Sequence, residues 1–346
     1  MFSSLKNFFV GSGLGSFSSD FSLHRSAAFN NDPSVWSLRF SQPFSSFLAM
    51  LSEGGIILLL SFIFVILFVM GHVFVALLKF RSSRLKVLID NILDPHERQL
   101  EIFLVVIAWL ILSGASLFVY FGSVLWWLWW LLLGLIVAGL SFAHPEIYKE
   151  KEIAIENTPQ YNLSFTFILI VVMAAFIMLG IWGVRLYAAE IVYAKAVRGK
   201  NYDEMETNLK KALALRSGVD NYYVALAQVY LAKAVELSHQ TNPDVNAISA
   251  LMAQAVNAAK QATDISPKSV LILSNLATMY ENAAAIIPDA RNWAVKILSS
   301  AKDLEPSNPI LWWRLGNNNL LAGNKEEAVK NYREAVSLKR DYVAAH

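Results

Sequence analysis

Residues 308–340 read NPILWWRLGNNNLLAGNKEEAVKNYREAVSLKR, and the spacing of their small and apolar residues predicts two helices packed against each other. Leu315, Gly316 and Asn319 share one helical face, Ala328, Tyr332 and Ala335 share another, and Gly323-Asn324 supplies the turn between them. Small residues let the two backbones approach, and tyrosines fill the wider gaps. The pattern returns upstream. Leu226-Ala227 with Tyr230 and Leu276-Ala277 with Tyr280 are each followed by a second-helix pattern, carrying Ala262 before Pro267 and Ala301 before Pro306. Proline lacks an N–H and clashes with the preceding turn, so it stops each second helix. A weaker first unit begins at Val192-Tyr193, with its second helix over 208–215 and its end at Arg216-Ser217-Gly218. Extra residues fall around 237–246 and 283–291 and are expected to lengthen helices or loops.

The last unit resembles the tetratricopeptide (TPR) consensus, with Trp312, Leu315, Gly316, Ala328, Tyr332 and Ala335 on its signature positions. Four stacked units over 189–346 predict a TPR-type α-solenoid, since one repeat alone cannot bury its apolar face. Its concave face would carry Gln228, Ser274, Thr278, Glu281, Trp313 and Asn317 as a groove for a protein partner. An exposed Trp313 beside a core Trp312 would mark a contact surface. The alternative is that these are ordinary solvated helix positions.

The rest of the chain is a different material. Of 346 residues, 55% are hydrophobic and 16% charged, where soluble domains run nearer ~25% charged. Residues 1–188 hold 11 Lys/Arg and 11 Asp/Glu, whereas 189–346 hold 18 and 16. Four apolar runs, 56–78 (IILLLSFIFVILFVMGHVFVALL), 102–121, 124–142 and 163–187, are long enough for a bilayer core of about 30 Å. The expected fold is therefore all-α: a segment 1–55, four transmembrane helices within 56–188, and the solenoid. The fourth span is expected to run directly into the first repeat. Lys79, Arg81, Arg84, Lys86 and Arg98 after the first span, with Lys149 and Lys151 after the third, mark the cytoplasmic face. That orientation puts the N-terminal segment and the solenoid outside the cytoplasm, on a bacterial-type cytoplasmic membrane whose lipid is the first partner.

Several functions drop out. Without cysteine there is no disulfide, thiolate metal site or Cys nucleophile. Neither half clusters Lys and Arg as nucleic-acid binding requires. Asp94, His96 and Glu97 lack metal-ligand spacing. His72 is a lone imidazole within a span, and Trp126, Trp127, Trp129 and Trp130 are expected to form an interfacial belt. A transporter ranks third, because the spans lack buried charges and broken-helix signals.

The N-terminal segment opens with Gly11, Gly13 and Gly15, a spacing that reads as a tight turn rather than a phosphate cradle, since no strand precedes it. The stretch GSGLGSF (11–17), a polar aromatic loop, and FLAMLSEGGIILLL (47–60) leading into a span together resemble the O-antigen ligase and polymerase family. There they are similar to the large extracytoplasmic loop and the helix after it, and members with TPR tails exist. The resemblance implies transfer of a glycan from an undecaprenyl-pyrophosphate carrier, with no cofactor and no required metal. It implies that Arg25 and Arg39 contact phosphate and that His24 serves as base, because the place of the family's His-Asn reads Pro43-Phe44-Ser45-Ser46-Phe47. It also implies that this chain is the C-terminal half of a longer protein, with earlier spans completing the carrier pocket. The alternative is a non-catalytic, membrane-anchored TPR scaffold.

Overall fold

The computed structural model describes residues 5–83, 95–143, 159–287 and 289–346, with side chains described over 7–76, 100–142, 163–287 and 289–346. Within these residues all regular structure is helical. The basic loop residues Lys79, Arg81, Arg84, Lys86, Arg98, Lys149 and Lys151, and the Asp94-His96-Glu97 group, have side chains outside the described residues. The chain forms two compact units, 1–21 with 39–154 and 22–38 with 155–346. This partition takes 22–38 away from the rest of the N-terminal segment and gives it to the solenoid.

The first unit contains α1 (Leu5–Val10), most of α2 (Phe17–His24), α3 (Ser46–Ser83), α4 (Pro95–Ala115) and α5 (Ser123–Ala143). Helix α3 is broken at Gly55, whose φ of 68° and ψ of −171° leave the helical region. Carbonyls just before a break lose their intrahelical donors and need others. The glycine turn supplies them: Ser12 N donates to Ser52 O at 3.1 Å and Gly13 N to Glu53 O at 2.9 Å. Gly11 has φ 74°, and a Cβ on it would lie 2.2 Å from Glu53 O, so only glycine fits there. The tight-turn reading of these glycines holds.

Beyond the break, α3 to α5 bury Val69, Val73, Val106, Trp109, Trp129 and Ile136 together. Trp129 is 1% exposed, its ring 5.2 Å from that of Trp109, and its Nε1 donates to Ser113 Oγ at 2.9 Å. The tryptophan run is therefore not a uniform interfacial belt: Trp129 is core, while Trp127 and Trp130 face outward. Helical periodicity divides the four rings between two faces.

Among the described residues three helices are long and apolar enough to cross a membrane: Ser46–Ala76, Ser123–Phe142 and Leu163–Val197. The second of the four expected runs falls short of that length among the described residues. Helix α4 ends at Ala115, leaving the shorter apolar stretch Leu100–Ala115. Residues 116–122 form a turn that caps the start of α3 instead, with Ser46 N donating to Val119 O, Phe47 N to Ser116 O, and Phe121 N to Ser46 Oγ.

The second unit begins its helices with α6 (Pro159–Val197), a continuous 39-residue helix, about 58 Å long at ~1.5 Å per residue. Every residue from Leu163 to Arg185 is exposed, whereas Ala189 and Ala196 are fully buried. The span does run unbroken into the repeats. They continue as α7 (Tyr202–Leu215), α8 (Asp220–Ser238), α9 (Val245–Ile265), α10 (Val270–Ala283), α11 (Ala290–Leu304), α12 (Pro309–Leu321) and α13 (Lys325–Leu338). The surplus over the repeat period goes mainly into helix length, since α8 has 19 residues and α9 has 21. Asn201, Asp244, Ser269 and Asn308 each cap a helix start through a side-chain oxygen, worth roughly 1 kcal/mol apiece.

The repeat residues sit as the sequence predicts. Ala227, Ala277, Ala262, Ala301 and Ala335 are fully buried, with Leu226, Leu276, Leu315 and Tyr230 beside them in the core. Between α7 and α8, Glu206 receives Lys210 and Lys233. Burial alone would raise the Glu206 carboxyl, but hydrogen bonds from Lys210 and Lys233 outweigh it and hold it below the ordinary carboxylate value.

The segment 22–38 closes the far end of the stack. Asn30, 1% exposed, donates from Nδ2 to Ser307 O at 2.8 Å and to Leu338 O at 3.2 Å. Lys339 Nζ donates to Asn30 O at 2.9 Å and lies 4.9 Å over the Trp36 ring. Ser307 Oγ donates to Arg25 O at 2.8 Å, and Trp36 packs on Tyr342. A solenoid needs such closure, because its terminal repeat has no neighbour on one side.

Three outcomes are expected of this packing. A Cβ at Gly316 would lie 2.5 Å from the Tyr332 ring. Overpacking of about 1–3 kcal/mol exceeds the ~0.5–1 kcal/mol that alanine gains in a helix. Gly316→Ala should therefore lower the solenoid's melting temperature by circular dichroism. Asn30→Ala strands the buried Ser307 carbonyl and the partly buried Leu338 carbonyl, about 1–3 kcal/mol, and should speed amide exchange in α13 while leaving α8 and α9 unchanged. Because the folded Glu206 value lies below its unfolded value of 4.5, its stabilisation is complete above pH 4.5 and lost as pH falls through the lowered value. Glu206→Gln should flatten that part of the acid-unfolding curve; an unchanged curve would remove the assignment.

Candidate interaction surface of the solenoid

The first helices of the repeats present the residues that the sequence placed on a groove. Gln228 on α8 is exposed, and no described side chain holds it. Ser274, Thr278 and Glu281 follow one face of α10 at successive turns, each partly exposed. Asn317 and Trp313 stand on α12, also partly exposed.

What joins three of them is a residue outside the set expected from sequence. Arg314 on α12 donates from Nη2 to Glu281 Oε2 at 2.6 Å and to Thr278 Oγ1 at 2.9 Å. Its Nε reaches Glu281 Oε1 at 3.2 Å, and its Nη atoms reach Ser274 O at 3.3 Å. Asn318 Nδ2 adds a bond to Glu281 Oε1 at 2.7 Å. The side chains of Arg314 and Glu281 are 15% and 25% exposed, and the guanidinium fork matches the carboxylate on two oxygens. This cross-strut makes α10 and α12 one rigid wall, electrically neutral at its centre. Its signal in the chain is simple: Arg314 follows Trp313 on the same helix, and a cation opposite an i, i+4, i+7 polar face invites such a bridge.

Trp313 is not the exposed ring expected of it. It packs edge-on against Tyr342, centroids 6.1 Å apart, and Tyr342 in turn meets Trp36 of the closing segment. Trp312 is not wholly core either: it is half-buried, donates from Nε1 to Pro306 O at 2.8 Å, and carries Lys302 Nζ over its ring. Asn317 accepts from Tyr332 Oη at 2.6 Å. Of the six expected positions, those on α10 and α12 are therefore held by Arg314, Tyr332 and Tyr342, while Gln228 on α8 is exposed.

The residues given catalytic roles by resemblance fall differently. Arg25 is 9% exposed, and its guanidinium donates to the carbonyls of Val35, Trp36 and Leu38 at 2.6–3.2 Å, pinning the loop that closes the solenoid. Its ring neighbour is Phe29, 5.5 Å away. His24 is exposed beside it. Arg39 is exposed and belongs to the other unit. Among the described residues no His, Cys, Asp and Glu group could hold a metal ion.

No protein-family model matches the chain, and no curated protein matches it either. Solved structures similar to part of it are repeat proteins. TTC0263, a thermophilic TPR protein of Thermus thermophilus, is 18% identical over 50% of this chain and 90% of its own, with a TM-score of 0.36. MamA is 17% identical over 42% and 72%, TM-score 0.33. YrrB, described as a TPR protein with an unusual peptide-binding site, is 12% identical over 46% and 88%, TM-score 0.26. These likenesses are weak, and the identification of the repeats rests on the helix packing described above.

Proposed function

We propose that the chain is a membrane-anchored scaffold whose TPR-type solenoid docks a protein segment along α8, α10 and α12. The observation that carries this reading is α6, one helix that is bilayer material over its first two-thirds and the first member of the repeat stack over its last turns. A solenoid fused without a joint to a span is held at a fixed height on the membrane, as a docking platform requires. The groove residues are Gln228, Ser274, Thr278, Glu281, Trp313 and Asn317, with Arg314 bracing three of them.

The closing segment supports four crossings. Residues 22–38 and the last repeat are one compact unit, so they share a compartment, and the chain between them crosses an even number of times. With α3, α5 and α6 as spans, evenness requires α4 to cross as well. Its junction agrees, because the start of α3 is bonded to the turn between α4 and α5. The basic residues of the intervening loops favour a solenoid outside the cytoplasm. The glycosyl-transfer reading asked Arg25 for a phosphate contact, and that guanidinium is bonded to three backbone carbonyls.

The reading is tested by capture from envelope extracts with the full-length chain, compared with Gln228→Arg. The arginine stands at an exposed position, so melting should be unchanged while retention of the specific partner falls at least tenfold. Equal retention by the two proteins would remove the groove. Tags placed before Met1 and after His346 should both react with an impermeant label on intact cells; labelling of one alone would break the even count.

A further inference from the structure

The break in α3 lies beside a cavity of about 400 Å³ within the first unit, inside the range of about 300–1,000 Å³ typical of small-molecule sites. Its walls include the rings of Phe62, Tyr120, Trp126, Trp129 and Trp130, and among the described residues lining it Glu53 alone is charged. No described side chain pairs with the Glu53 carboxylate, while its backbone carbonyl is already taken by Gly13 N. An unpaired carboxylate at the edge of hydrocarbon is costly and marks a functional position by default. A carboxylate and aromatic rings lining one cavity are ammonium-binding chemistry, combining charge with the quadrupoles of the rings. Beyond Glu53 the cavity extends along α3 to Val65, about 15 Å of helix past Gly55 at ~1.5 Å per residue, with apolar walls. It starts near Ser46 and Tyr120, where α3 begins and the α4–α5 turn lies, which is the level of a lipid headgroup.

We propose that this cavity binds an aminophospholipid of the surrounding leaflet, phosphatidylethanolamine, with its ammonium on Glu53 and an acyl chain running toward Val65. Charge complementarity selects this occupant. Among the described residues no Lys or Arg lines the cavity to receive an anionic head, so phosphatidylglycerol of the same chain length meets Glu53 as a like charge. The broken helix is what makes the site: Gly55 turns the Ser46–Gly54 turns aside from the rest of α3 and opens the space that the rings line.

The test is native mass spectrometry of the full chain in mild detergent with equimolar phosphatidylethanolamine and phosphatidylglycerol of identical acyl chains. Phosphatidylethanolamine should be retained at least fivefold more. Glu53→Gln, which keeps shape and removes charge, should reduce that ratio to near one, with the melting temperature showing that the variant is folded. Free ethanolamine at the same concentration should not displace the lipid. Equal retention of both lipids by the unaltered chain, as expected of annular lipid, would overturn the proposal. So would a preference that survives Glu53→Gln, or displacement by ethanolamine alone. None of these readouts depends on the solenoid's partner.

Discussion

Helix α6 has to satisfy two solvents along one axis. Over residues 163–184 it carries no charge and every residue is exposed, the composition and length of a helix able to cross a membrane. A few residues later, Ala189 and Ala196 are buried against the repeats, and polar positions turn to water. An α-helix can make that change without a joint because its backbone hydrogen bonds are internal in either medium. The rest of the second unit is built on this continuity. It fixes the first repeat on the end of a span, and every later pair stacks on the one before it through alanine, glycine and tyrosine contacts.

At the other end the stack is closed by a segment from far earlier in the sequence. Asn30 donates to Leu338 O and accepts from Lys339 Nζ, and the rings of Trp36, Tyr342 and Trp313 continue the contact onto α12. The solenoid thus continues into the apolar helix α6 at one end and is closed by this segment at the other, with the Arg314–Glu281 strut joining α10 to α12 between them. A partner that fits needs no rearrangement of the wall, which lowers the ordering cost of association.

How much of this was written legibly in the chain differs by element. The repeats were legible because close helix packing demands small residues at fixed intervals, and Ala227, Ala277 and Gly316 advertise it. The apolar helices were legible by length and lack of charge, except that the second run includes Ser116 to Phe121, where apolar composition continues after the helix has stopped. Hydropathy reports the medium and is blind to that ending. The break at Gly55 was hidden, since glycine pairs are common in membrane helices and Gly54-Gly55 has no distinguishing neighbour in sequence. Closure of the solenoid was invisible for a different reason. Asn30, Ser307 and Lys339 are ordinary surface residue types, and only folding brings them together. For the same cause Arg25 read as a phosphate ligand when its partners are carbonyls of its own loop. On the candidate groove the polar positions were read from sequence, whereas Arg314, whose signal was present beside Trp313, was passed over.

The closure also sets an order of events during synthesis. Asn30 leaves the ribosome long before Leu338 and Lys339, which complete its bonds and follow it by 308 and 309 residues. Nearly all other contacts of the second unit join neighbours along the chain and can form as the polypeptide emerges, at little loop-closure cost. This one must wait until the whole intervening chain has been made. Until then the final helix pair has a raw edge and the early segment has no seat. Completion of the solenoid is thus signalled by an early stretch of chain returning to meet a late one, and a nascent chain cut short of Leu338 has nothing with which to shut the ring.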